Sequence, residues 1–212
     1  MMFERDYILR MIQMMGDWLR RLAELLSDLE RMRFLGELCR RHCGMTLKAA
    51  EALSDESLVS LLDPEPRFLL SELIYLHAAQ TTCDDEQAQA LLAKSLRLLL
   101  SLSGEGELCE QRAARLGDLK EQTLPLLTAE ELMACAGFLV NGERYDLAED
   151  AAFQAIERAE PSRQTALLSQ ALALMERAAA ASPQALALCG MTPDELAESV
   201  SLLRTLAGLA GI

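Results

Sequence analysis

The chain has 212 residues and a formal net charge of -13, and 51% of its residues are hydrophobic while only 4% are aromatic. So acidic a chain is a poor match for nucleic acid, whose phosphates demand clustered Lys and Arg, and the apolar fraction is too high for a disordered protein. Scarce aromatic residues also disfavour β-sandwiches and barrels. We therefore expect an all-α protein.

The first predicted element is a long amphipathic helix near residues 4–42. Its apolar residues recur in alternating steps of three and four, the heptad spacing of helices that pack along a seam. The seam consists of Ile8, Met11, Met15, Trp18, Leu22, Leu25, Leu29 and Met32. Two interpretations stay open: the helix packs on its own chain, or it forms a homodimer through the seam.

The opening residues also carry a family resemblance. Asp6, Tyr7, Ile8, Leu9, Arg10 and Ile12 form an Asp-Tyr-apolar-Leu-Arg-x-Ile segment. This segment resembles the start of an uncharacterised bacterial family whose members continue as helices. The resemblance implies a bacterial, cytoplasmic protein without an assigned function, and it transfers no catalytic residue.

The rest of the chain is predicted to form shorter helices, because capping residues and glycines recur at helical intervals. The expected helix caps are Ser54, Asp84, Thr128, Ser162, Ser182 and Thr192, and the glycines where helices should end are Gly44, Gly142 and Gly190. The expected helices lie near 46–53, 54–62, 65–80, 84–102, 106–122, 129–140, 145–159, 162–181, 183–189 and 193–209. Two segments are candidate linkers, 62–66 with its two prolines and 103–106 with its two glycines. From the first we predict an N-terminal module over 1–62 and a larger helical body over 67–212.

One helix pair within the body, at 129–161, resembles a tetratricopeptide repeat. Its first helix presents Leu132, Cys135, Ala136 and Leu139, its second presents Ala148, Ala152 and Ala155, and Tyr145 stands at the turn. In that family small residues let two antiparallel helices approach closely, and stacked pairs form an array. The resemblance implies a right-handed array or bundle of antiparallel helix pairs, with a structural role for Tyr145.

A possible metal site is the C-x-x-H-C spacing of Cys39, His42 and Cys43, which shares one face of a helix. A fourth ligand would have to come from elsewhere, such as His77 or Cys83. Structural zinc sites usually place paired cysteines on turns, and no second pair exists here. We therefore expect no metal or cofactor, with the two cysteines facing the core. Beside Arg40 and Arg41 they are also weak candidates for redox-sensing thiols.

The cysteines and the hydropathy indicate the cellular compartment, and the charge distribution indicates the kind of partner. The six cysteines are scattered through helical patterns in a chain large enough to fold without disulfides, which favours reduced thiols in the cytoplasm. No apolar run approaches 18 uncharged residues, so we expect no membrane span. Residues 1–50 hold nine Lys and Arg against seven Asp and Glu, whereas residues 51–212 hold eleven against twenty-six. The acidic body favours a basic or apolar protein or peptide partner.

The function favoured by these patterns is a non-enzymatic protein-interaction or scaffold module that uses a helical-repeat surface, because no nucleophile, phosphate-loop or metalloprotease motif occurs. One alternative is a self-associating structural protein that dimerises through the N-terminal helix. A second is a helical ligand-binding protein or enzyme with a pocket that leaves no sequence signature.

Overall fold

The computed structural model describes residues 2–80, 85–102 and 109–210. These residues form twelve α-helices and one short 3-10 helix, with no strand among them, so the all-α prediction is confirmed. The α-helices are α1 (Met2–Glu24), α2 (Asp28–Cys43), α3 (Leu47–Ala52), α4 (Asp55–Leu61), α5 (Pro64–Gln80), α6 (Asp85–Leu100), α7 (Cys109–Thr123), α8 (Ala129–Asn141), α9 (Tyr145–Arg158), α10 (Pro161–Ala179), α11 (Pro183–Leu188) and α12 (Pro193–Ala210). None of the helices described is long and apolar enough to cross a membrane.

The chain divides into two compact units, Met1–Leu102 and Ser103–Ile212. The linker expected at 62–66 lies inside the first unit, because α5 packs against both α2 and α6. The other candidate linker, 103–106, follows the last residue of the first unit and lies outside the described residues. Asp84, an expected helix cap, and Cys83 also lie outside them.

The single N-terminal helix predicted over 4–42 is wrong, since the chain leaves the helical conformation between α1 and α2. Ser27 caps α2: its hydroxyl accepts a hydrogen bond from the backbone N–H of Glu30, and the Glu30 carboxylate accepts one from the backbone N–H of Ser27. This capping box satisfies donors that a continuous helix would have bonded internally, so it starts a new helix at Asp28.

In the first unit, α5 and α6 pack closely because two serines replace larger side chains at their contact. Ser71 and Ser95 are fully buried, and each hydroxyl donates to the other residue's carbonyl oxygen, at 3.0 and 2.8 Å. Arg67 lies at the start of α5 and donates to carbonyl oxygens of Val59 and Leu62 at the end of α4. These bonds satisfy polar groups that burial would otherwise leave unpaired.

In the second unit, α8 and α9 form a helical hairpin, α7 packs on α8, and α10 packs on α8, α9 and α12. The residues singled out by the repeat pattern are all buried: Leu132, Cys135, Ala136, Leu139, Tyr145, Ala148, Ala152 and Ala155. Small side chains at 148, 152 and 155 let the two helices approach, as the sequence indicated. The relationship to tetratricopeptide repeats itself stays a prediction.

Several predicted caps are confirmed, and one is wrong. Thr128 and Thr192 each make a capping box with the glutamate three residues on, and Ser54 and Ser182 also accept from the helix backbone. Ser162, by contrast, does not start α10. That helix begins at Pro161 after Glu160, because the fixed φ of proline suits the first helical position.

Candidate functional site

An open groove of about 600 Å³ runs between α8 and α10 in the second unit. The capping box at Thr128 fixes the start of α8, and Pro161 fixes the start of α10. The groove is lined by Glu130, Met133, Ala134, Gly137, Arg163, Ala166, Leu167, Gln170, Ala173, Leu174 and Arg177. On α10 these residues recur every three or four positions, so they form one stripe along the helix.

The groove is apolar and shallow because its walls carry small residues. Ala134 on α8 and Ala166 and Ala173 on α10 are exposed, whereas the larger Met133 and Leu167 are buried beneath them. At Gly137 a side chain is absent, and a Cβ there would lie 3.9 Å from the Cδ2 atom of Leu174. An incoming helix or peptide can therefore approach the backbone of α8 and α10 closely.

Polar side chains stand at the two ends of this groove. At one end the Arg163 guanidinium lies 3.6 Å from the Glu130 carboxylate, and both side chains are more than half exposed. At the other end Arg177 donates a 2.8 Å hydrogen bond to the side-chain oxygen of Asn141. Because Asn141 is neutral, the Arg177 charge stays available to an incoming carboxylate.

A second, open cleft of about 580 Å³ lies between α9 and α12 and is strongly acidic. Its carboxylates are Asp146, Glu149, Asp150, Glu195 and Glu198. The Ser199 hydroxyl donates to Glu149, which ties α12 to α9. The pKa of Glu195 is lowered by hydrogen bonds from the Thr192 backbone and side chain, so this carboxylate serves the helix cap.

The cysteines and the histidine of the C-x-x-H-C segment point to different surroundings. Cys39 and Cys43 are buried in the core, whereas His42 lies against the ring of Trp18 at a centroid distance of 5.3 Å. In the ranges that the structure covers, no group of three or more His, Cys, Asp or Glu side chains could hold a metal ion. His77, named as a possible fourth ligand, instead contacts Glu51, with Nδ1 2.8 Å from the carboxylate.

The two thiols influence each other because they share one helix face. A hydrogen bond between them lowers the pKa of Cys39 and raises the pKa of Cys43, and burial further raises the second. The Cys43 thiol also lies 3.5 Å from the carbonyl oxygen of Pro66. Because both thiols are buried, an oxidant in solution cannot reach them without local unfolding.

The predicted interaction seam of the N-terminal segment is split between core and surface. Met11, Trp18 and Leu22 are buried within the chain, Met15 and Leu25 are partly exposed, and 61% of Leu29 is exposed. The side chain of Ile8 lies outside the described residues. The buried members pack on the chain itself, while the choice between the two interpretations stays a prediction.

Comparison with known families decides how the chain is classified. A family model matches residues 2–208, nearly the whole chain. The chain belongs to DUF6483, a family of unknown function. Comparison with curated proteins and with solved structures finds no match. The expectation of an uncharacterised family is thus confirmed, while the tetratricopeptide-like part and the N-terminal motif stay predictions.

Sequence reasoning on this DUF6483 chain missed both the α8–α10 groove and a buried lysine. Lys120 on α7 is completely buried, and its Nζ atom lies 3.3 Å from the Gln154 side-chain oxygen and 2.8 Å from the Glu121 carboxylate. A signal was present, because Lys120 stands four residues after buried Leu116 and three before buried Thr123. No sequence signal marks the groove, since its walls come from helices far apart in the chain.

Proposed function

We propose that this DUF6483 chain is a non-enzymatic protein-interaction module whose α8–α10 groove binds an apolar helix of a partner protein. The observation that carries the proposal is the row of exposed small residues, Ala134, Ala166 and Ala173, along an open groove. Close approach of helix backbones needs small side chains of this kind at the crossing. Helix-in-groove recognition is a common mode of peptide binding.

The length of the groove fits a helix of three to four turns. Arg163 and Arg177 lie fourteen residues apart on α10, which at the rise of an α-helix corresponds to about 21 Å. A bound helix of similar length would present its apolar face to the exposed Ala134 and Ala173 and the partly exposed Leu174. It would bury surface that no described side chain covers.

Charge complementarity narrows the chemistry of the partner. The body of the chain is strongly acidic, but this groove carries two arginines and one glutamate. Arg163 is already close to Glu130, whereas Arg177 donates a hydrogen bond to the neutral amide of Asn141. We therefore expect an apolar helix with an Asp or Glu near the Arg177 end, in place of the basic segment that overall charge favoured.

The proposal also includes the cellular compartment in which the module acts. The cysteines whose side chains the structure describes, Cys39, Cys43, Cys135 and Cys189, are all free thiols. Free thiols persist in reducing compartments, which supports the cytoplasm of a bacterium as the place where the module acts. The groove is then open to cytoplasmic proteins.

Site-specific photocrosslinking tests the groove. The photoreactive residue p-benzoylphenylalanine is placed at Ala173 in the groove, and in a matched control at Ser169, which is also exposed on α10 but is not among the residues that line the groove. In the native host we expect a discrete covalent adduct from position 173, and none from position 169. The attached peptide should be an apolar helix with an acidic residue.

Two outcomes would count against the proposal. Equal adducts from Ala173 and Ser169 would mean that the groove has no special role. A crosslinked segment rich in Lys and Arg would contradict the charge argument from Arg177. In the latter case Arg177→Glu would strengthen the adduct, whereas the proposal expects this substitution to weaken it.

A further inference from the structure

We propose that Cys39 and Cys43 form a redox pair, which a hydroperoxide oxidises to a disulfide, and that this disulfide unwinds the last turn of α2. Both cysteines belong to the first unit of the chain, and the α8–α10 groove belongs to the second. The redox pair is therefore independent of the proposed function, and the experiments on the groove do not test it.

The two thiols are neighbours at the end of one helix. Cys39 and Cys43 stand four positions apart, so both side chains lie on the same face of α2, and Cys43 is the last residue of that helix. Both are free thiols, and their side chains are buried, with 0% and 7% exposed. A hydrogen bond joins the two thiols, so the sulfur atoms already lie side by side.

The hydrogen bond gives the two thiols different roles. It lowers the pKa of Cys39, while burial and the Glu51 carboxylate act against this change and the Arg40 charge acts with it. The same bond raises the pKa of Cys43, which therefore keeps its proton. Cys39 is thus the first of the two to become a thiolate, and the thiolate is the form that attacks an oxidant.

Oxidation of the pair takes two steps. The Cys39 thiolate attacks an oxygen of the hydroperoxide, the O–O bond breaks, and Cys39 becomes a sulfenic acid; the released alkoxide or hydroxide takes up the proton that Cys39 had lost. The Cys43 sulfur then attacks the sulfenic sulfur, the S–O bond breaks, and the hydroxyl leaves with the Cys43 proton as water. The two thiols have lost two electrons, and the hydroperoxide has gained them.

The position at the end of α2 gives the oxidant access. Because both thiols are buried, the last turn has to open before they react. This turn is held by Gly44, whose backbone N–H donates to the carbonyl oxygen of Arg40, and by the contact of Cys43 with the Pro66 carbonyl oxygen. Opening a terminal turn needs less free energy than unfolding a whole unit. Cys135, in the middle of α8, lacks such a route.

A disulfide between these two positions does not fit an intact helix. Side chains four positions apart on a helix have Cβ atoms about 5–6 Å apart, whereas a disulfide holds them at about 3.5–4.5 Å. The last turn must therefore deform, which breaks the contact of Cys43 with Pro66 on α5. His42 lies between the two cysteines and contacts Trp18, so the change also reaches α1. A strained disulfide is easily reduced, as a reversible switch requires.

The first experiment identifies the bond. The full chain is treated with hydrogen peroxide, the remaining thiols are alkylated in denaturant, and the product is digested with trypsin without a reductant. Trypsin cleaves after Arg40 and Arg41, between the two cysteines, so a bond between them keeps peptides 34–40 and 42–48 linked. We expect this linked pair, and we expect Cys135 to be recovered in the alkylated form.

The second experiment tests the order of the steps and the change in α2. Cys43→Ser should lose the linked peptides and should retain a sulfenic acid at Cys39, which dimedone traps. In the unmodified chain, peroxide should change the emission of Trp18, and dithiothreitol should restore it. Cys39→Ala keeps every methionine and should show no change in emission that dithiothreitol reverses, which separates the disulfide from methionine oxidation.

Each contrary result overturns the proposal. Absence of the linked peptides at peroxide concentrations that leave the chain folded would exclude the disulfide. Oxidation of Cys135 at the same rate as the pair would mean that the thiols do not react through the end of α2. A disulfide that forms without a reversible change in Trp18 emission would show that the last turn does not unwind. None of these results bears on the α8–α10 groove.

Discussion

The indole ring of Trp18 on α1 lies against the imidazole of His42 on α2, with ring centroids 5.3 Å apart and planes inclined by 52°. Trp18 is the only tryptophan of the chain and is 5% exposed. The contact therefore joins α1 and α2, and the fluorescence of Trp18 reports on it. It also connects the packing of α1 to the protonation of a histidine.

Protonation of His42 should weaken the folded state. The pKa of His42 is lowered, first because burial disfavours its charged form and then because Arg41 is nearby. The unfolded chain consequently binds the proton more readily than the folded chain. The stability contributed by neutral His42 is complete above the ordinary histidine pKa of about 6.5 and is lost as the pH falls through the lower pKa of the folded state.

Chemical unfolding of the unmodified chain and of His42→Gln, followed by Trp18 fluorescence, measures this effect. Between about pH 7.5 and pH 5.5 the free energy of unfolding of the unmodified chain should fall relative to that of the variant. Carboxylates such as Glu30 titrate alike in both proteins and cancel in the comparison. A difference that stays constant with pH would contradict the assignment.

The same tryptophan shows whether the heptad seam lies within one chain or between two. Because Trp18 is buried within its own chain, its emission should be blue-shifted and should not change on dilution. If the heptad seam is instead a dimer interface, dilution will expose the indole and shift its emission to the red. The check is an emission spectrum taken across a dilution series.

The sequence predicted the helical class and most helix ends because these depend on local signals. Thr128 and Thr192 are each followed three residues later by a glutamate, a capping-box pattern that predicts the start of a helix. The same signal at Ser27 and Glu30 was present but was outweighed by a heptad pattern that runs across it. A heptad pattern shows that apolar residues recur at helical spacing, but it does not show that all of them lie on one uninterrupted helix.

The α8–α10 groove, by contrast, could not be predicted from local signals in the sequence. The α8–α10 groove exists because α10 packs beside α8 while leaving Ala134 and Ala173 uncovered, and such docking depends on contacts distant in sequence. Alanine and glycine in a helix favour close packing, but they do not tell which partner helix comes close.

Replacing Glu143 with glycine should stabilise the second unit. The turn between α8 and α9 was expected to use Gly142 for its unusual backbone, yet Gly142 has φ -90° while Glu143 has φ 56°. A residue with a side chain is strained in this left-handed region, and glycine relieves the strain. We expect Glu143→Gly to raise the free energy of unfolding by about 0.5–1 kcal/mol.

A glycine already in the left-handed region supplies the opposite control. Gly44 ends α2 with φ 70°, and a Cβ there would meet no atom within 4 Å. Gly44→Ala should therefore lower the free energy of unfolding by about 1 kcal/mol through backbone strain alone. If both substitutions shifted thermal unfolding in the same direction, the turn assignment would be wrong.

The buried lysine should respond in opposite ways to two substitutions. Lys120→Met keeps most of the volume and removes a buried charge, so the free energy of unfolding should stay the same or rise by about 1–3 kcal/mol. Lys120→Ala leaves a cavity in the core around α7 and should lower it by about 2–4 kcal/mol. Denaturant unfolding of both variants measures the difference, and a greater loss for methionine would mean that the charge itself stabilises the fold.

The pKa of the Cys135 thiol reports the charge of Lys120 independently. Burial raises the pKa of Cys135 to about 12, while the positive charge of Lys120 acts to lower it. In Lys120→Met the thiol loses this help, so the pKa of Cys135 should rise further. An unchanged pKa of Cys135, followed by the carbon-13 chemical shift of its Cβ atom, would argue against an electrostatic interaction between the two side chains.

Removal of the Arg67 guanidinium should destabilise the first unit. Its guanidinium donates to the carbonyl oxygens of Val59, Leu62 and Ser101, so it joins the ends of α4 and α6 to the start of α5. Arg67→Met would keep the aliphatic stem but leave partly buried carbonyls without donors, and we expect a loss of about 2–4 kcal/mol. Arg33→Met, at an exposed position of α2, is the matched control and should stay within about 0.5 kcal/mol of the unmodified chain. Equal effects of the two substitutions on the denaturation midpoint would show that the carbonyl contacts of Arg67 do not stabilise the fold.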